Sequence, residues 1–302
     1  MLAVGAYVVT RVVPASSSNP FAGKQLYVNP DSQAKKAEAS DSAADAAIIA
    51  PLGDTPSAIW LLPETYGTSQ IGTYLDSVTS AAEKQGEYPV FVIYGVPDRD
   101  CSGQSAGGLT ASTYPGWISA IANALKGHPA AVMLEPDSLA LADQCPDPTA
   151  RIAQIKSAVA TLTSTDGSDI ALYLDGGHSN WHPAATQANL LNEAGVSSAR
   201  GFFSNVANFN PTANEVAYDN QVSSLTGGAH YVIDTSRNGS GSDGQTCNPP
   251  GRTIGQAPTV FNGTAEDAVL WIKNPGESDG SCNGGPPAGE WFPSYAAALM
   301  GH

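Results

Sequence analysis

The sequence predicts a single α/β domain in which alternating strands and helices close into a barrel. Short apolar runs alternate with segments whose apolar residues recur every three or four positions, a pattern typical of buried parallel strands joined by amphipathic helices. Seven or eight such units are present, and that number favours a closed barrel over an open sheet. Because one barrel fills about 250 residues or more, the length of 302 residues requires no second domain.

The elements can be assigned in order along the chain. Three segments have helical spacing, and each buries one apolar stripe on the sheet: Ile71, Tyr74, Leu75 and Val78; Ile118, Ile121 and Leu125; and Ile152, Ile155, Val159 and Leu162. The predicted strands are 25–28, 58–62, 90–95, 130–134, 170–174, 201–206, 230–234 and 268–273.

Four aspartates lie just after such apolar runs: Asp100, Asp137, Asp175 and Asp279. Loops at the carboxyl ends of parallel strands share one face, so we expect these carboxylates to converge on one cleft. A single aspartate in this position is often only a helix N-cap. Four of them, each inside an unusual segment, predict a catalytic site.

Composition excludes one class of substrate. The formal net charge is −15, from 13 basic and 28 acidic residues, and such a chain repels the phosphate backbone of nucleic acids. Only 14% of the residues are charged, against an average of about 25%. A surface carried by Ser, Thr, Asn, Gln and Gly is typical of secreted proteins.

The four cysteines allow three disulfide pairings. We favour Cys101 with Cys145 and Cys247 with Cys282, because each pair would tie neighbouring loops on the face that carries the aspartates. Four unpaired thiols are the alternative. A structural metal site is disfavoured because no CxxC or close Cys/His spacing is present. Disulfides would imply an oxidising, extracellular environment.

The amino-terminal residues read differently from the rest. Segment 1–13 is apolar with one Arg, is too short to span a bilayer, which takes about 20 residues, and lacks a basic leader region. We interpret 1–18 as the remnant of a secretion signal or membrane anchor plus a short linker, and 19–302 as the catalytic domain. An apolar first strand is the alternative.

Four segments surround the aspartates. They read YGVPDRDCSGQSAGG (94–108), VMLEPDSLA (132–140), LYLDGGHSNW (172–181) and WIKNPGESDG (271–280). Together, and in this order, they closely resemble glycoside hydrolase family six, the inverting cellulases. The resemblance extends from about Asn19 to the carboxyl terminus. It implies a distorted, TIM-barrel-like barrel of seven parallel strands, hydrolysis of β-1,4-glucan, and the same cysteine pairing.

The chemistry of clustered carboxylates agrees with this resemblance. An inverting glycosidase needs one protonated carboxyl to donate to the leaving oxygen and a second group, about 6.5–9.5 Å away, to activate water. Like charges in close proximity cannot all ionise cheaply, so one carboxyl of the group keeps its proton. No cofactor or metal is required.

The resemblance also implies roles for individual residues. Asp137 would be the general acid. Asp100 would control the protonation of Asp137 and relay protons through water, with Arg99 in a supporting ion pair. Asp279 would act as the base, or a water relay toward Asp100 would replace it. Asp175 would shape the site electrostatically and bind substrate.

Further residues are expected to hold the glucan. Tyr94 would press the cleaved sugar toward a distorted ring, Trp60 would stack on the glycone side, and Ser105, or Ala106 beside it, would hold a water. Other positions match sugar-binding residues of the family: His178, Trp181, Lys273 and Glu277. One position departs from it, since Thr246 stands where many members have a Trp before the cysteine.

Alternatives remain at the level of the site and of the function. Asp175, His178 and His182 could form a metal site, but the segment has no further obvious ligand. Trp271 is expected in the core. The expected function is a secreted, monomeric, endo-acting β-1,4-glucanase, because little chain lies between the motifs to roof a tunnel. An exo-acting cellobiohydrolase and a non-catalytic glycan-binding protein are the alternatives.

Overall fold

The computed structural model describes residues 18–40, 42–164 and 169–302, so the prediction for segment 1–13 lies outside the described residues. The strands are β1 (Gln25–Leu26), β2 (Ile59–Leu61), β3 (Glu87–Tyr88), β4 (Val90–Ile93), β5 (Ala130–Leu134), β6 (Ile170–Asp175), β7 (Gly201–Ser204), β8 (His230–Asp234), β9 (Thr259–Val260) and β10 (Glu266–Leu270). The α-helices are α1 (Gln33–Ser40), α2 (Ala43–Asp54), α3 (Ile71–Gln85), α4 (Tyr114–Ala124), α5 (Pro148–Ser164), α6 (Ala184–Ala194), α7 (Thr212–Leu225) and α8 (Pro293–Leu299).

The main sheet has eight strands in the order β2-β4-β5-β6-β7-β8-β10-β9. The first seven of them run parallel, and β9 is antiparallel to β10. The predicted strand at 25–28 is present as β1 over Gln25–Leu26, but it pairs with β3 in a separate two-stranded sheet and does not join the main sheet. Pro89 separates β3 from β4, since proline lacks the N–H that a sheet strand donates.

The sheet curls around a filled interior. Along β4, Val92 faces this interior while Phe91 and Ile93 face the helices, as the period of two along a strand requires. Side chains from both ends of the sheet meet inside, and the backbone N–H of Ala58 donates to the carbonyl of Trp271 at 2.9 Å. The structure is therefore a distorted α/β barrel of seven parallel strands in one domain, as predicted.

The three predicted helical stripes are confirmed as α3, α4 and α5, whose apolar stripes pack on the outer face of the sheet. The sequence pattern did not reveal α1 and α2, because their alanine-rich segments carry few large apolar residues. These two helices pack with α8 around Trp271, which is 3% exposed and lies in the core as expected. Every helix of the described residues is too short or too polar to cross a membrane.

The amino end of the described chain closes the bottom of the barrel. The amide of Asn19 donates to the carbonyl of Asp267 at 2.7 Å. Phe21 is fully buried and stacks on Tyr173 with 6.2 Å between ring centroids. The open end of the barrel is therefore the opposite one, where the loops after the strands lie.

Candidate active site

A cleft of about 1090 Å³ opens at the carboxyl ends of the parallel strands. The order of the strands places Trp60 in β2, Asp100 and Asp137 after β4 and β5, and Trp181 after β6. The two tryptophans therefore flank the two carboxylates. The cleft lining includes these predicted catalytic, supporting and substrate-binding residues: Trp60, Tyr94, Arg99, Asp100, Ser105, Asp137, His178, Trp181, Lys273, Glu277 and Asp279.

Asp137 lies in the cleft floor, three residues after the end of β5, with a left-handed backbone (φ +67°). Burial raises the pKa of Asp137 well above its usual range, and the negative charges of Asp175, Asp100 and Asp279 raise it further. This carboxyl therefore keeps its proton to a higher pH than an ordinary aspartate does. It can donate a proton at a pH where an ordinary aspartate cannot.

Asp175 does not line the cleft, and only 2% of it is exposed. One of its oxygens accepts the backbone N–H groups of Leu139 and Ala140, both at 3.0 Å, and the other accepts the N–H of Gly177 at 3.0 Å. Asp175 therefore lies behind the floor and supports the chain that follows Asp137. Its effect on the cleft is electrostatic and positional, whereas the sequence also predicted contact with substrate.

Asp100 lies in a tight 3₁₀ turn after β4 with a left-handed backbone (φ +58°). Its Oδ2 accepts the backbone N–H of Ser105 at 2.7 Å, which fixes the carboxylate toward the cleft. A Cβ at Gly103 would lie 2.3 Å from that oxygen, so only glycine permits this closeness. The disulfide from Cys101 to Cys145 then ties the turn to the loop that follows Asp137.

Arg99 makes its ion pair with Glu64, at 3.1 Å, and none is found with Asp100 among the described contacts. Its guanidinium also donates to the carbonyls of Ser105 and Tyr94, both at 2.9 Å. Arg99 therefore forms an ion pair, but its partner is Glu64 in the loop after β2. Arg99 holds the shape of the Asp100 loop through backbone contacts.

Asp279 is surrounded by hydrogen-bond donors. Its Oδ2 accepts Arg237 Nη1 at 2.8 Å and the backbone N–H of Asn248 at 3.0 Å, and Lys273 Nζ lies 3.8 Å from Oδ1. Burial acts to raise the pKa of Asp279, but the adjacent Arg237 and Lys273 cations hold it below its usual range. The ionised form of Asp279 is therefore favoured in the same cleft in which the protonated form of Asp137 is favoured.

The residues Arg237 and Asn248 were not predicted from the sequence. Arg237 follows the end of β8 and is fully buried, with its guanidinium 4.6 Å from the ring centroid of Phe209. Asn248 follows Cys247, and its side-chain oxygen accepts the backbone N–H of Asp279 at 2.8 Å. The only signal in the sequence is that Arg237 lies shortly after a strand. Many loop residues share that position, so the signal does not single out Arg237.

Glu135, in the same EPDS segment as Asp137, was also not predicted. It is fully buried, and its two oxygens accept the N–H of Gly95 at 3.1 and 2.9 Å. Burial raises the pKa of Glu135 to about 7. This contact joins the end of β5 to the end of β4, and so relates the loops that carry Asp137 and Asp100.

Both disulfides predicted from the loop positions are present, Cys101–Cys145 and Cys247–Cys282. The second ties the loop before Asn248 to the loop after Asp279. No group of three His, Cys, Asp or Glu suited to a metal ion occurs in the part of the chain that the structure describes. Both oxygens of Asp175 accept backbone N–H groups. The carboxylate is therefore not arranged as a metal ligand together with His178 and His182.

Comparisons with known proteins agree with this geometry. The family model of glycosyl hydrolases family 6 matches residues 21–302. The chain belongs to this family. It is 39% identical to endoglucanase A of Cellulomonas fimi over 91% of its length, and 40% identical to endoglucanase 1 of Streptomyces halstedii over 95%. The match covers 60% of the first relative and 90% of the second.

A solved endoglucanase from Mycobacterium tuberculosis is similar in structure as well as in sequence. Its TM-score to this chain is 0.88 at 42% identity, with 93% of this chain and 98% of that chain covered. That structure contains methyl-cellobiosyl-4-deoxy-4-thio-β-D-cellobioside. The fold of a family 6 catalytic domain is therefore shared over nearly all of the described residues.

Two aromatic groups mark one side of the family 6 cleft. The rings of Trp60 and Tyr94 meet edge to face at 5.2 Å, and the Trp60 indole N–H donates to the carbonyl of Ile272 at 2.8 Å. Burial raises the pKa of Tyr94 far above its usual range, and the negative charges that Asp137 and Asp100 carry when ionised raise it further. The Tyr94 hydroxyl therefore stays a proton donor beside both carboxylates.

His178 and Trp181 mark the opposite side, with 5.2 Å between their ring centroids. Burial and the neighbouring His182 lower the pKa of His178 to about 4. The His178 ring is therefore neutral near pH 7. Since its Nδ1 accepts the backbone N–H of Asn180 at 3.2 Å, its Nε2 carries the proton and can donate to a sugar hydroxyl.

The third wall of the cleft contains Lys273 and Glu277. The Lys273 ammonium donates to the carbonyl of Ser278 at 3.3 Å, and Glu277 accepts the side-chain amide of Gln33 at 2.8 Å. Thr246, at the position where many family members have a Trp, also lines the cleft. Thr246 therefore presents a hydroxyl and a methyl group to the cleft.

Replacing Asp100 with Asn should move the alkaline limb of the pH–kcat profile to lower pH. The substitution removes one negative charge that raises the pKa of Asp137, so this pKa falls and Asp137 loses its proton at a lower pH. The expected shift is about half to one pH unit, measured on the residual activity. Asp98→Asn, in the same loop but exposed, serves as the control. An alkaline limb that does not move in Asp100→Asn would contradict the electrostatic coupling.

Proposed function

We propose that this chain is an endo-acting β-1,4-glucanase that inverts the anomeric configuration. The observation that carries the proposal is the contrast between Asp137, whose pKa is raised, and Asp279, whose pKa is lowered, in one cleft between two tryptophans. Two carboxyls with pKa values pushed apart are what glycoside hydrolysis requires. The kinship with family 6 endoglucanases supports the same reaction.

In this mechanism Asp137 donates its proton to the glycosidic oxygen as the bond to the anomeric carbon breaks. A water attacks that carbon from the opposite face and must lose a proton. Asp279 is a weak base, because Arg237, Lys273 and the Asn248 N–H stabilise its charged form. This supports a water relay toward Asp100, with Asp279 supplying negative charge to the developing oxocarbenium ion.

The glucan is proposed to run from the Trp60 side of the cleft to the Trp181 side, passing over Asp137. Trp60 stacks on the glycone. Tyr94 packs against the Trp60 ring and limits the ring shape that the sugar to be cleaved can adopt. Trp181 and the neutral His178 hold the aglycone. Lys273 and Glu277 supply charged partners for sugar hydroxyls on the third wall.

Endo action is supported by how the rim loops fold. The loop after β4 folds back on itself through a bridge between Arg99 and Gly107, and the loop after β10 does so between Glu277 and Trp291. Each loop is also tied by a disulfide to a neighbouring loop. A loop that folds back on itself and is cross-linked in this way is less free to extend over the cleft, and this favours cleavage within a polymer over a cellobiohydrolase tunnel.

The stereochemistry of the first product tests the mechanism. Direct attack by water forms no glycosyl-enzyme, so NMR of cellopentaose hydrolysis should show the α-anomer first, before mutarotation. The Asp137→Ala protein, measured in parallel, should give no product signal over the same period. A β-anomeric first product would overturn the inverting mechanism.

The mode of action is tested with carboxymethylcellulose. An endo-acting enzyme should lower the viscosity steeply at a low yield of reducing ends. Each internal cut divides a long chain into two much shorter ones, and viscosity depends on chain length. Release of cellobiose with little change in viscosity would support the cellobiohydrolase alternative. Binding to glucan without any product would support the non-catalytic alternative.

The two disulfides are typical of proteins that reside in an oxidising, extracellular environment. We propose that the chain acts outside the cell, where its polymeric substrate lies. Residues 19–302 are proposed to form the catalytic domain.

A further inference from the structure

Helix α7 buries two carboxylates one turn apart, Glu215 and Asp219, and neither is exposed to solvent. Burial raises the pKa of both groups. Carboxylates in such a position are costly unless donors surround them, and two of them four residues apart on a helix repel each other when charged. What each carboxylate contacts is therefore informative about why it is present.

Glu215 makes its main contacts with Ser179, which lies next to the cleft-lining His178, and the side chains of Asn210 and Ser204 also hydrogen-bond to it. Both of its oxygens accept the backbone N–H of Ser179 at 3.2 Å, and the Ser179 hydroxyl donates to Oε1 at 2.5 Å. Asp219 has a different partner, the hydroxyl of Ser204 in β7, at 2.6 Å. The difference between the two carboxylates is that Glu215 contacts the loop that contains Ser179, whereas the hydrogen bond described for Asp219 goes to a strand.

The loop held by Glu215 carries Trp181. It forms a turn in which the Trp181 N–H donates to the carbonyl of His178 at 3.0 Å. The Asn180 side chain donates to Asn210 at 2.8 Å, and His182 Nε2 lies 2.8 Å from the carbonyl of Ala140. The turn is thus fastened to the start of α7 on one side and to the loop that follows Asp137 on the other.

We propose that Glu215 is a positioning residue that fixes the 178–181 turn, so that Trp181 presents its ring to the aglycone of the bound glucan at the correct height above Asp137. This inference rests on the proposed function. It assigns specificity for longer glucans to a residue that does not touch the substrate. A preorganised platform binds a sugar without first losing the freedom of the loop.

The test compares two substrates in the Glu215→Ala protein. Cellopentaose reaches the aglycone side, whereas β-cellotriosyl fluoride has a leaving group of one atom that does not. Loss of the platform should lower kcat/KM for cellopentaose by about tenfold, mainly through KM. For the fluoride, kcat/KM should change by less than about twofold. Glu215→Gln, which can still accept the Ser179 hydroxyl, should recover much of the loss.

Asp219→Ala is the matched control, because it removes an equally buried carboxylate from the same helix without touching the turn. It should lower both kcat/KM values by the same factor or neither. If Glu215→Ala does not fold, Ser179→Ala removes the hydroxyl contact from the loop side and should show the same selective loss. Equal losses on both substrates in the Glu215 or Ser179 variants, or a selective loss in Asp219→Ala, would overturn the inference. A wild-type protein that cleaves neither substrate would instead refute the proposed function itself.

Discussion

The Asp137→Ala protein should fold and bind glucan but lose nearly all hydrolysis of cello-oligosaccharides. General acid assistance contributes about 10²–10⁴-fold to such reactions, and glucose is a poor leaving group without a proton. Activity on β-cellotriosyl fluoride should fall far less, because fluoride departs with little protonation. Initial rates on the two substrates, with binding measured by calorimetry, give the comparison.

Asp143→Ala is the control for this substitution, since Asp143 lies in the same post-β5 region but is exposed. It should keep wild-type rates on both substrates. A folded Asp137→Ala protein that turns over cellopentaose at a normal rate would remove Asp137 from the role of acid.

Removing the disulfide next to Asp100, with the double substitution Cys101→Ala and Cys145→Ala, should lower the free energy of unfolding substantially. The bond joins positions 44 residues apart, and the chain-entropy model gives about 4 kcal/mol for a loop of this length. Activity should fall as well, because Cys101 adjoins Asp100 in a turn with a left-handed backbone. Urea unfolding and rates on cellopentaose measure the two effects separately.

The Cys247 and Cys282 pair provides the comparison, since its separation of 35 residues predicts nearly the same loss of stability. That double variant should affect the Asp279 side of the cleft and leave the Asp100 turn in place. If the Cys101 and Cys145 variant unfolds at the wild-type urea concentration, the stabilising role of this bond is wrong.

The barrel could be predicted because its signals are local. Buried parallel strands such as β5 are continuous apolar runs, and α3 to α5 each carry an apolar stripe at helical spacing. The buried face of α7 gave no such signal, because it includes the polar residues Glu215 and Asp219. Its burial depends on Ser179 and Ser204, which lie far away in the sequence.

The convergence of the aspartates predicted to be catalytic was likewise determined by the sequence. Each lies at or after a strand end, and all parallel strands of a barrel end on the same face, so Asp100, Asp137 and Asp279 had to meet in one cleft. The cysteine pairing followed from the same reasoning. None of this required knowledge of any distance.

Only the tertiary structure decided the charge state of these groups and which neighbours hold them. The proton on Asp137 depends on burial and on three other carboxylates, whereas the charge on Asp279 depends on Arg237, some 40 residues away along the chain. Asp175 turned out to lie behind the cleft, and Arg99 to pair with Glu64. Electrostatic energies depend on distance and solvent exposure through space, and spacing along a sequence specifies neither.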